Sequence, residues 1–330
     1  MNYKAMTVTE TADGQFVREI TSKDTESLPM GDLLINVKYS SLNYKDALSA
    51  SGNKGVTRQY PHTPGIDAAG TVTETASAEF KAGDSVIVTG YDLGMNTSGG
   101  FSQYIRVPAA WPVKMPENMT AKESMMLGTA GFTAALSVHK LINAGIKTSD
   151  GEILVTGATG GVGSVAVAIL SKLGYSVIAA TGKPESETML KKLGAKGIIL
   201  RSELDDGSPK PMLKPRWAGA VDTVGGNILA AALKTVQYGG CVTCCGNAAD
   251  FHLATTVFPF ILRGVSLLGV DSVMCPVPLR TEIWKKLAGE WKPENLSEYI
   301  EEVSLEKLSE KIDLMLAGKT AGRILVNPDA

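Results

Sequence analysis

The stretch Ile153-Leu154-Val155-Thr156-Gly157-Ala158-Thr159-Gly160-Gly161-Val162-Gly163-Ser164-Val165-Ala166-Val167-Ala168-Ile169 decides the fold. Ile153 to Val155 is a short apolar run suited to a strand covered on both faces. The residues after it are small, so no bulky side chain blocks a ligand. From Ser164 the chain is rich in Ala and Val and continues through Leu170 and Leu173 to Gly174, a helix with glycine where a C-cap belongs. Strand, glycine turn and helix in this order form the setting of a dinucleotide-binding loop. There, N–H groups at the helix N-terminus point at a pyrophosphate and the helix dipole favours its charge. Ala158-Thr159-Gly160-Gly161-Val162-Gly163 fits A-x-G-x-x-G, with Ala158 in place of the first glycine of G-x-G-x-x-G. A glycine match alone also suits a tight turn without a ligand. The flanking strand and helix favour the dinucleotide site.

Working outward, strand-like runs continue after the loop: Ser176–Ala180, Gly197–Leu200, Gly219–Thr223, Gly240–Cys245 and Ser266–Val270. Helical segments such as Glu185 to Leu193 and Asn227 to Val236 separate most of them. This alternation predicts an α/β domain with a doubly wound parallel sheet of the Rossmann type. Before it, residues 1–121 read as a β-rich domain, with strands at Leu33–Tyr39, Gly70–Glu74 and Ser85–Thr89 separated by turn signals. Thr120 and Glu123 form a capping box, and a helix through Met125, Met126 and Leu127 precedes a small-residue turn at Gly128-Thr129-Ala130-Gly131. The tail is helical around Thr281 to Leu287 and Leu305 to Leu316, and ends in a strand, Gly322 to Val326. That strand most simply returns to the N-terminal domain. The expected division is therefore 1–121 with 273–330, and 122–272, with the active site in the cleft between domains.

A length of 330 residues suits two domains. The net charge of −2, from 32 basic and 34 acidic residues, gives no electrostatic reason to expect nucleic acid or an anionic membrane as partner. The N-terminus carries no signal-peptide apolar core, and no run of eighteen apolar residues is apparent. Three of the four cysteines, Cys241, Cys244 and Cys245, fall in one apolar strand, where alternate side chains face opposite ways and serve one metal poorly. With Cys275 they read as small core residues of a reducing, cytoplasmic compartment.

The cofactor is read at the end of the second strand. NAD-binding loops place an acid about twenty residues past the glycines. Here that end reads Ala180-Thr181-Gly182-Lys183, with no acid. The Thr181 hydroxyl and the Lys183 charge suit a phosphate, and Arg201 at the end of the third strand reaches the same adenosine end. The expected cofactor is NADP(H).

These residues resemble a family. Pro64-Gly65-Ile66-Asp67-Ala68-Ala69-Gly70-Thr71-Val72 is similar to the N-terminal signature of the medium-chain dehydrogenase/reductase superfamily, with Ile66 where zinc enzymes carry a ligating His. No cysteine precedes Cys241, so the early catalytic Cys is missing as well, and no metal is expected. The resemblance is to the zinc-free, quinone-oxidoreductase-like branch. Ser41-Leu42-Asn43-Tyr44-Lys45-Asp46, Gly128-Thr129-Ala130-Gly131-Phe132-Thr133-Ala134 and Pro259–Val265 through Gly269–Val273 resemble its acryloyl-CoA reductase group over nearly the whole chain. The resemblance implies a GroES-like catalytic domain, NADPH-dependent reduction of an activated carbon–carbon double bond, and a homodimer. It also implies that Tyr44 lies against the nicotinamide, and that Thr159, Gly160, Gly161 and Val162 cradle the pyrophosphate. Thr181, Gly182, Lys183 and Arg201 would take the 2′-phosphate. Asn247 and Ser272 would line the nicotinamide end, and Arg323 would stand near a cofactor or acyl-CoA phosphate.

In such a reduction, charge builds on the substrate carbonyl oxygen, which needs hydrogen-bond donors, and the α-carbon needs a proton. Asn43 and Tyr44 are the candidates; a turn former and a buried ring are the structural alternatives. Lys45, Lys54, Arg58 and Arg323 are the basic residues available to a CoA. The other readings are an NADPH:quinone oxidoreductase with the same site and a non-catalytic NADPH-binding protein.

Overall fold

The computed structural model describes residues 1–204 and 207–330. The chain divides into two units, one of Met1–Thr129, Val273–Gly289 and Ile300–Ala330, the other of Ala130–Ser272 and Glu290–Tyr299. The first division falls at Thr129/Ala130, inside a helix, rather than at the helix start expected at 121/122. Residues 290–299, expected with the tail, group with the second unit, where Glu294 pairs with Lys172 and Glu298 with Lys192.

The first unit opens with a hairpin, β1 (Asn2–Glu10) and β2 (Phe16–Asp24). It continues through β3 (Leu33–Leu42), α1 (Tyr44–Ala50), β4 (Asp67–Thr75), β5 (Ser85–Thr89), β6 (Tyr104–Val107) and β7 (Val113–Lys114). Next comes α2 (Ala121–Asn143), whose first part belongs to this unit. The second unit runs β8 (Glu152–Val155), α3 (Gly161–Lys172), β9 (Ser176–Thr181), α4 (Glu187–Lys192), β10 (Gly197–Leu200), α5 (Arg201–Leu204), β11 (Trp217–Asp222), α6 (Gly226–Thr235), β12 (Val236–Cys244), α7 (Phe258–Arg263) and β13 (Ser266–Gly269). The chain then returns to the first unit with α8 (Val277–Ala288), β14 (Ile300–Ser304), α9 (Leu305–Leu316) and β15 (Arg323–Asn327).

In the first unit one sheet runs β14-β15-β3-β4-β5-β7, with β6 also on β3. β3 is its organiser, antiparallel to β4, β6 and β15. The last strand thus returns to the N-terminal domain, as its position in the chain suggests. Alternate β-branched and leucine side chains fill the core under β3: Leu33, Ile35 and Val37 meet Val72, Val86 and Ile105. A second cluster joins Leu42 and Ala47 to Met6, Leu308, Ile312 and Ile324. The start of α1 is therefore fixed by packing from β3, α9 and β15 at once.

In the second unit six parallel strands follow the order β10-β9-β8-β11-β12-β13. The order reverses between β8 and β11, so the glycine turn leaves the sheet at the switch point where ligands enter such folds. The strands read as apolar runs because both faces are covered: Leu154, Ile178, Ala220 and Val242 share a core with Leu229 and Leu233 of α6.

The four-residue turn expected at 128–131 is a break of a single residue. Gly128 has φ 54 and ψ −157 inside an otherwise continuous α2. Among the described residues α2 is the one helix long and apolar enough to cross a membrane, and 72% of its most apolar window is buried within the protein. It is not an unbroken apolar run: Lys122, Glu123 and Lys140 sit near its ends and Ser and Thr interrupt it.

Candidate active site

The cofactor cradle is built in the second unit from the ends of β8, β9 and β11. Thr156, the first residue past β8, is buried; its Oγ1 donates to Asp222 Oδ1 at 2.7 Å and accepts from Thr223 N at 3.0 Å. Thr223 Oγ1 returns a bond to the Thr156 carbonyl at 2.9 Å. Burial pushes the Asp222 carboxyl up, while Thr156 and the N–H groups of Gly225 and Val224 work against that shift. This network clamps the two strands on either side of the switch point. Directly after the clamp, the glycine loop meets α3 so closely that a Cβ on Gly163 would stand 2.3 Å from the Gly157 carbonyl. Only glycine allows that approach. Gly160 caps α3 without a side-chain bond, so the first-turn N–H groups of Gly161 and Val162 face outward for a ligand. Ala158 fits in place of the first motif glycine because its N–H bonds the Ala180 carbonyl at 3.1 Å and its methyl is fully buried.

The adenosine end lies beyond β9. Thr181 is buried; its Oγ1 accepts the Lys183 N–H at 2.9 Å and stands 3.4 Å from Thr159 Oγ1. The Arg201 guanidinium lies over Gly182, its Cζ 3.6 Å from where a Cβ would project. Lys183 is half-buried and Arg201 exposed. Thr159, Thr181, Gly182, Lys183 and Arg201 line a pocket of about 290 Å³. Thr181, Gly182 and Arg201 also border a wider one of about 660 Å³, with Ser202, Asn227 and Asp250. The last three were missed from sequence: they come from α5, the first turn of α6 and the loop after β12, and no spacing links them. The structure therefore brings together the loop and the Thr181–Arg201 set. Asn247 is exposed after β12 and Ser272 half-buried after β13, and neither is among the residues lining these two pockets.

The cradle fits a dinucleotide phosphate end. It has a side-chain-free helix N-terminus, a contact only glycine allows, and two basic side chains with a hydroxyl but no carboxylate at the β9 end. The thiols take no part: burial pushes Cys241 up to about 11 and Cys245 up to about 12. Cys245 lies just past the strand that holds Cys241 and Cys244. Among the described residues no three His, Cys, Asp or Glu side chains are placed to hold a metal ion.

In the first unit the Asn43–Tyr44 turn starts α1. Asp46 reaches back one turn to accept the Asn43 N–H at 2.8 Å, and its other oxygen accepts Ile66 N at 2.8 Å. Asn43 is 9% exposed, and its amide nitrogen faces Asp67 Oδ2 at 2.8 Å, Asp46 Oδ2 at 3.2 Å and the Ser41 carbonyl at 3.2 Å. Asn43 was a candidate for positioning and for donation, with a turn former as the alternative; both its amide hydrogens face the protein. Tyr44 was weighed as a buried ring; it is 58% exposed. Arg323 was expected near a phosphate. Its guanidinium is 4% exposed and reaches Ser41 Oγ at 2.9 Å, Asn43 Oδ1 at 3.2 Å, and the carbonyls of Leu42 and Met126 at 3.4 Å. Of the other basic residues, Lys54 pairs with Glu10 and lies over the Tyr60 ring, while Arg58 is exposed.

Comparison with known proteins places this geometry. Residues 29–117 match the alcohol dehydrogenase GroES-like domain and residues 161–288 the zinc-binding dehydrogenase family. The chain is 45% identical to YhfP of Bacillus subtilis, which carries a quinone-oxidoreductase name, over 98% of each chain. It is 44% identical to the acrylyl-CoA reductase AcuI of Ruegeria pomeroyi over 92% of each. Among solved structures, the yhdH oxidoreductase of Salmonella enterica in complex with NADP superposes with a TM-score of 0.95 at 44% identity over 99% of each chain. Bacillus subtilis yhfP with NAD bound gives 0.97 at 44% over 99% of each.

Gly128 closes the Asn43 cluster: a Cβ there would lie 2.4 Å from Ser41 Oγ and 2.5 Å from Asp67 Oδ2. Gly83 has a comparably unfavourable φ of 93 with nothing within 4 Å. Gly83→Ala is expected to cost about 1 kcal/mol in urea denaturation, and Gly128→Ala at least about 2 kcal/mol more, because its backbone strain comes with a collision against buried polar atoms. Equal losses would show that the cluster is loosely held.

Proposed function

The chain belongs to the quinone-oxidoreductase-like group of the medium-chain dehydrogenase/reductase superfamily and is an oxidoreductase; we propose that it uses NADPH to reduce the activated double bond of acryloyl-CoA. The observation that carries the cofactor is the β9 end, where Thr181, Lys183 and Arg201 gather without an acid. An acid there would repel a 2′-phosphate, whereas two basic side chains attract it. The substrate reading is supported by the 44% identity to AcuI.

When bound, the dihydronicotinamide supplies a hydride for the β-carbon. The chain's own residues do the rest. The N–H groups of Thr159, Gly161 and Val162 would hold the pyrophosphate, around the turn that Gly160 closes with its own N–H on the Gly157 carbonyl, and Asn247 and Ser272 would line the nicotinamide end. The exposed Tyr44 hydroxyl donates a hydrogen bond to the thioester carbonyl oxygen, on which negative charge develops, and water supplies the proton for the α-carbon. Asn43 positions that turn and makes no bond to substrate.

We also propose a homodimer formed through the second unit. Phe251, in the loop after β12, and Val257, Phe258, Ile261 and Leu262, at α7, are exposed in the segment that leads into β13, one of the two edge strands of the parallel sheet. A clustered apolar surface at an unpaired strand edge is the feature that association removes from water. Four free cysteines support a reducing, cytoplasmic setting.

The reaction is tested by following NADPH oxidation with acryloyl-CoA and with naphthoquinone in parallel. Loss with the thioester is the expected result; loss with quinone alone overturns the substrate, and loss with neither points to a binding protein. Tyr44→Phe is expected to lower kcat by about tenfold or more, since one oxyanion donor disappears. Full turnover in that variant would remove Tyr44 as donor. Lys183→Ala with Arg201→Ala is expected to weaken NADPH about tenfold or more in a fluorescence titration while changing NADH far less. Parallel losses for the two cofactors would overturn the 2′-phosphate assignment. Ile261→Asp with Leu262→Asp is expected to shift the protein to monomer in sedimentation velocity; an unchanged dimer would place the interface elsewhere.

A further inference from the structure

Two carboxylates and one guanidinium are buried together beneath the Asn43–Tyr44 turn, and the reaction as proposed uses none of them directly. Asp46 and Asp67 are completely inaccessible, and Arg323 nearly so. Asp67 accepts four hydrogen bonds: Ser41 Oγ at 2.5 Å, Asn43 Nδ2 at 2.8 Å, Thr129 N at 2.9 Å and Thr129 Oγ1 at 2.5 Å. Ser41 links it to Arg323, accepting from Nη2 at 2.9 Å while donating to Asp67. Asn43 links all three charges, with its amide nitrogen on both carboxylates and its oxygen on Arg323. The surrounding elements contribute Ser41 and the Leu42 carbonyl from β3, Ile66 N beside β4, the Met126 carbonyl and Thr129 from α2, and Arg323 from β15. The charges acting on Asp46 and Arg323 are those of the cluster itself.

The charge count does not close. One guanidinium balances one carboxylate, and a second bare carboxylate in a dry cluster is costly unless it takes a proton. Asp67 accepts four bonds and Asp46 three, from Asn43 N, Asn43 Nδ2 and Ile66 N, so Asp67 is the better solvated of the two carboxylates. Asp46 is left to carry the proton.

Resting on the reductase reading above, we propose that Asp46, Asp67 and Arg323 are positioning residues for the reduction: they lock the Asn43 amide and so the entry of Tyr44 into α1, and a single proton on Asp46 keeps that lock closed. When the proton leaves, two carboxylates repel across the Asn43 amide nitrogen and the turn loosens. The direction of titration agrees. Burial first, and the Asp67 charge second, push Asp46 up to about 7. An aspartate in the unfolded chain titrates near 3.8, so the folded chain holds this proton more tightly. The stability contributed is complete below 3.8 and is lost as pH rises through about 7.

The test uses the full-length protein, wild type and Asp46→Asn. In wild type, kcat for acryloyl-CoA is expected to fall above about pH 7, approaching tenfold per pH unit. In Asp46→Asn that limb is expected to disappear, while Kd for NADPH, measured by fluorescence, keeps its wild-type pH dependence. An identical alkaline limb in both proteins overturns the proposal. Carboxyl ¹³C NMR of aspartate-labelled wild type gives a readout independent of turnover and of the variant's folding. A titration near 7 assigned to Asp46 by through-bond correlation to its own N–H, and so distinguished from Asp222, supports the proton on Asp46, and no titration of Asp46 there overturns it. A protein that shows this titration but oxidises no NADPH with any enoyl thioester refutes the reductase reading and leaves the buried proton standing.

Discussion

Asp67 is the point on which the first unit turns. A buried carboxylate costs several kcal/mol unless donors replace the water it has lost. Here the donors come from three elements. Ser41 is the next-to-last residue of β3, Asn43 opens α1, and Thr129 follows the break in α2. Each of these local features is odd by itself. β3 carries two serines, Ser40 and Ser41, just before its buried last residue Leu42, and α2 breaks at one glycine, which takes the Thr129 N–H out of the helix ladder. Each becomes intelligible once the charge must be solvated from within, because the break in α2 supplies the Thr129 N–H that Asp67 accepts. The collision a side chain on Gly128 would make is the steric counterpart of the same requirement.

The second unit solves a related problem at its own carboxylate. Asp222 closes β11 and is buried, and it accepts from Thr156 at the end of β8 and from the N–H of Gly225. The difference lies in what the carboxylate faces. These donors on Asp222 are neutral, so it clamps two strands and leaves the glycine loop open beyond them. Asp67 shares its space with a second carboxylate and a guanidinium, which ties its geometry to protonation. A polar clamp at a strand end orients the adjoining loop more tightly than packing alone, since hydrogen bonds fix direction as well as distance.

The cradle was largely legible in the sequence, and the other half of the candidate site was not. Ile153 to Gly174 announces strand, turn and helix by composition alone, and six parallel strands in doubly wound order follow from alternation. The Thr181–Lys183 segment is readable because the residue that matters is a missing acid at a fixed distance. By contrast, the β1–β2 hairpin went unread because β2, Phe16–Asp24, alternates without burying a full face, and α1 because seven residues are too few to show a helical period. Asn43, Tyr44 and Arg323 were named from resemblance, but their surroundings were not foreseeable. The bonds that decide them join positions about 280 residues apart, and no local pattern encodes such a contact.

That nonlocal contact changes what the resemblance can mean for each residue. A motif equates Asn43 and Tyr44 as neighbours in one turn, yet the fold gives them opposite fates. Asn43 presents its amide hydrogens to carboxylates and its oxygen to Arg323, leaving it no free direction toward a ligand. Arg323, a charge that would suit a phosphate if it were exposed, spends its donors on Ser41, Asn43 and two carbonyls. Tyr44, one residue on, stands 58% exposed on a helix start anchored from below by all three charges. A donor that must hold one direction while charge develops on a carbonyl needs such a base, because a side chain free to reorient would spend part of the stabilisation on ordering itself. The buried ions therefore bear on the chemistry through the rigidity of the turn, and the one exposed hydroxyl above them is where that rigidity is delivered.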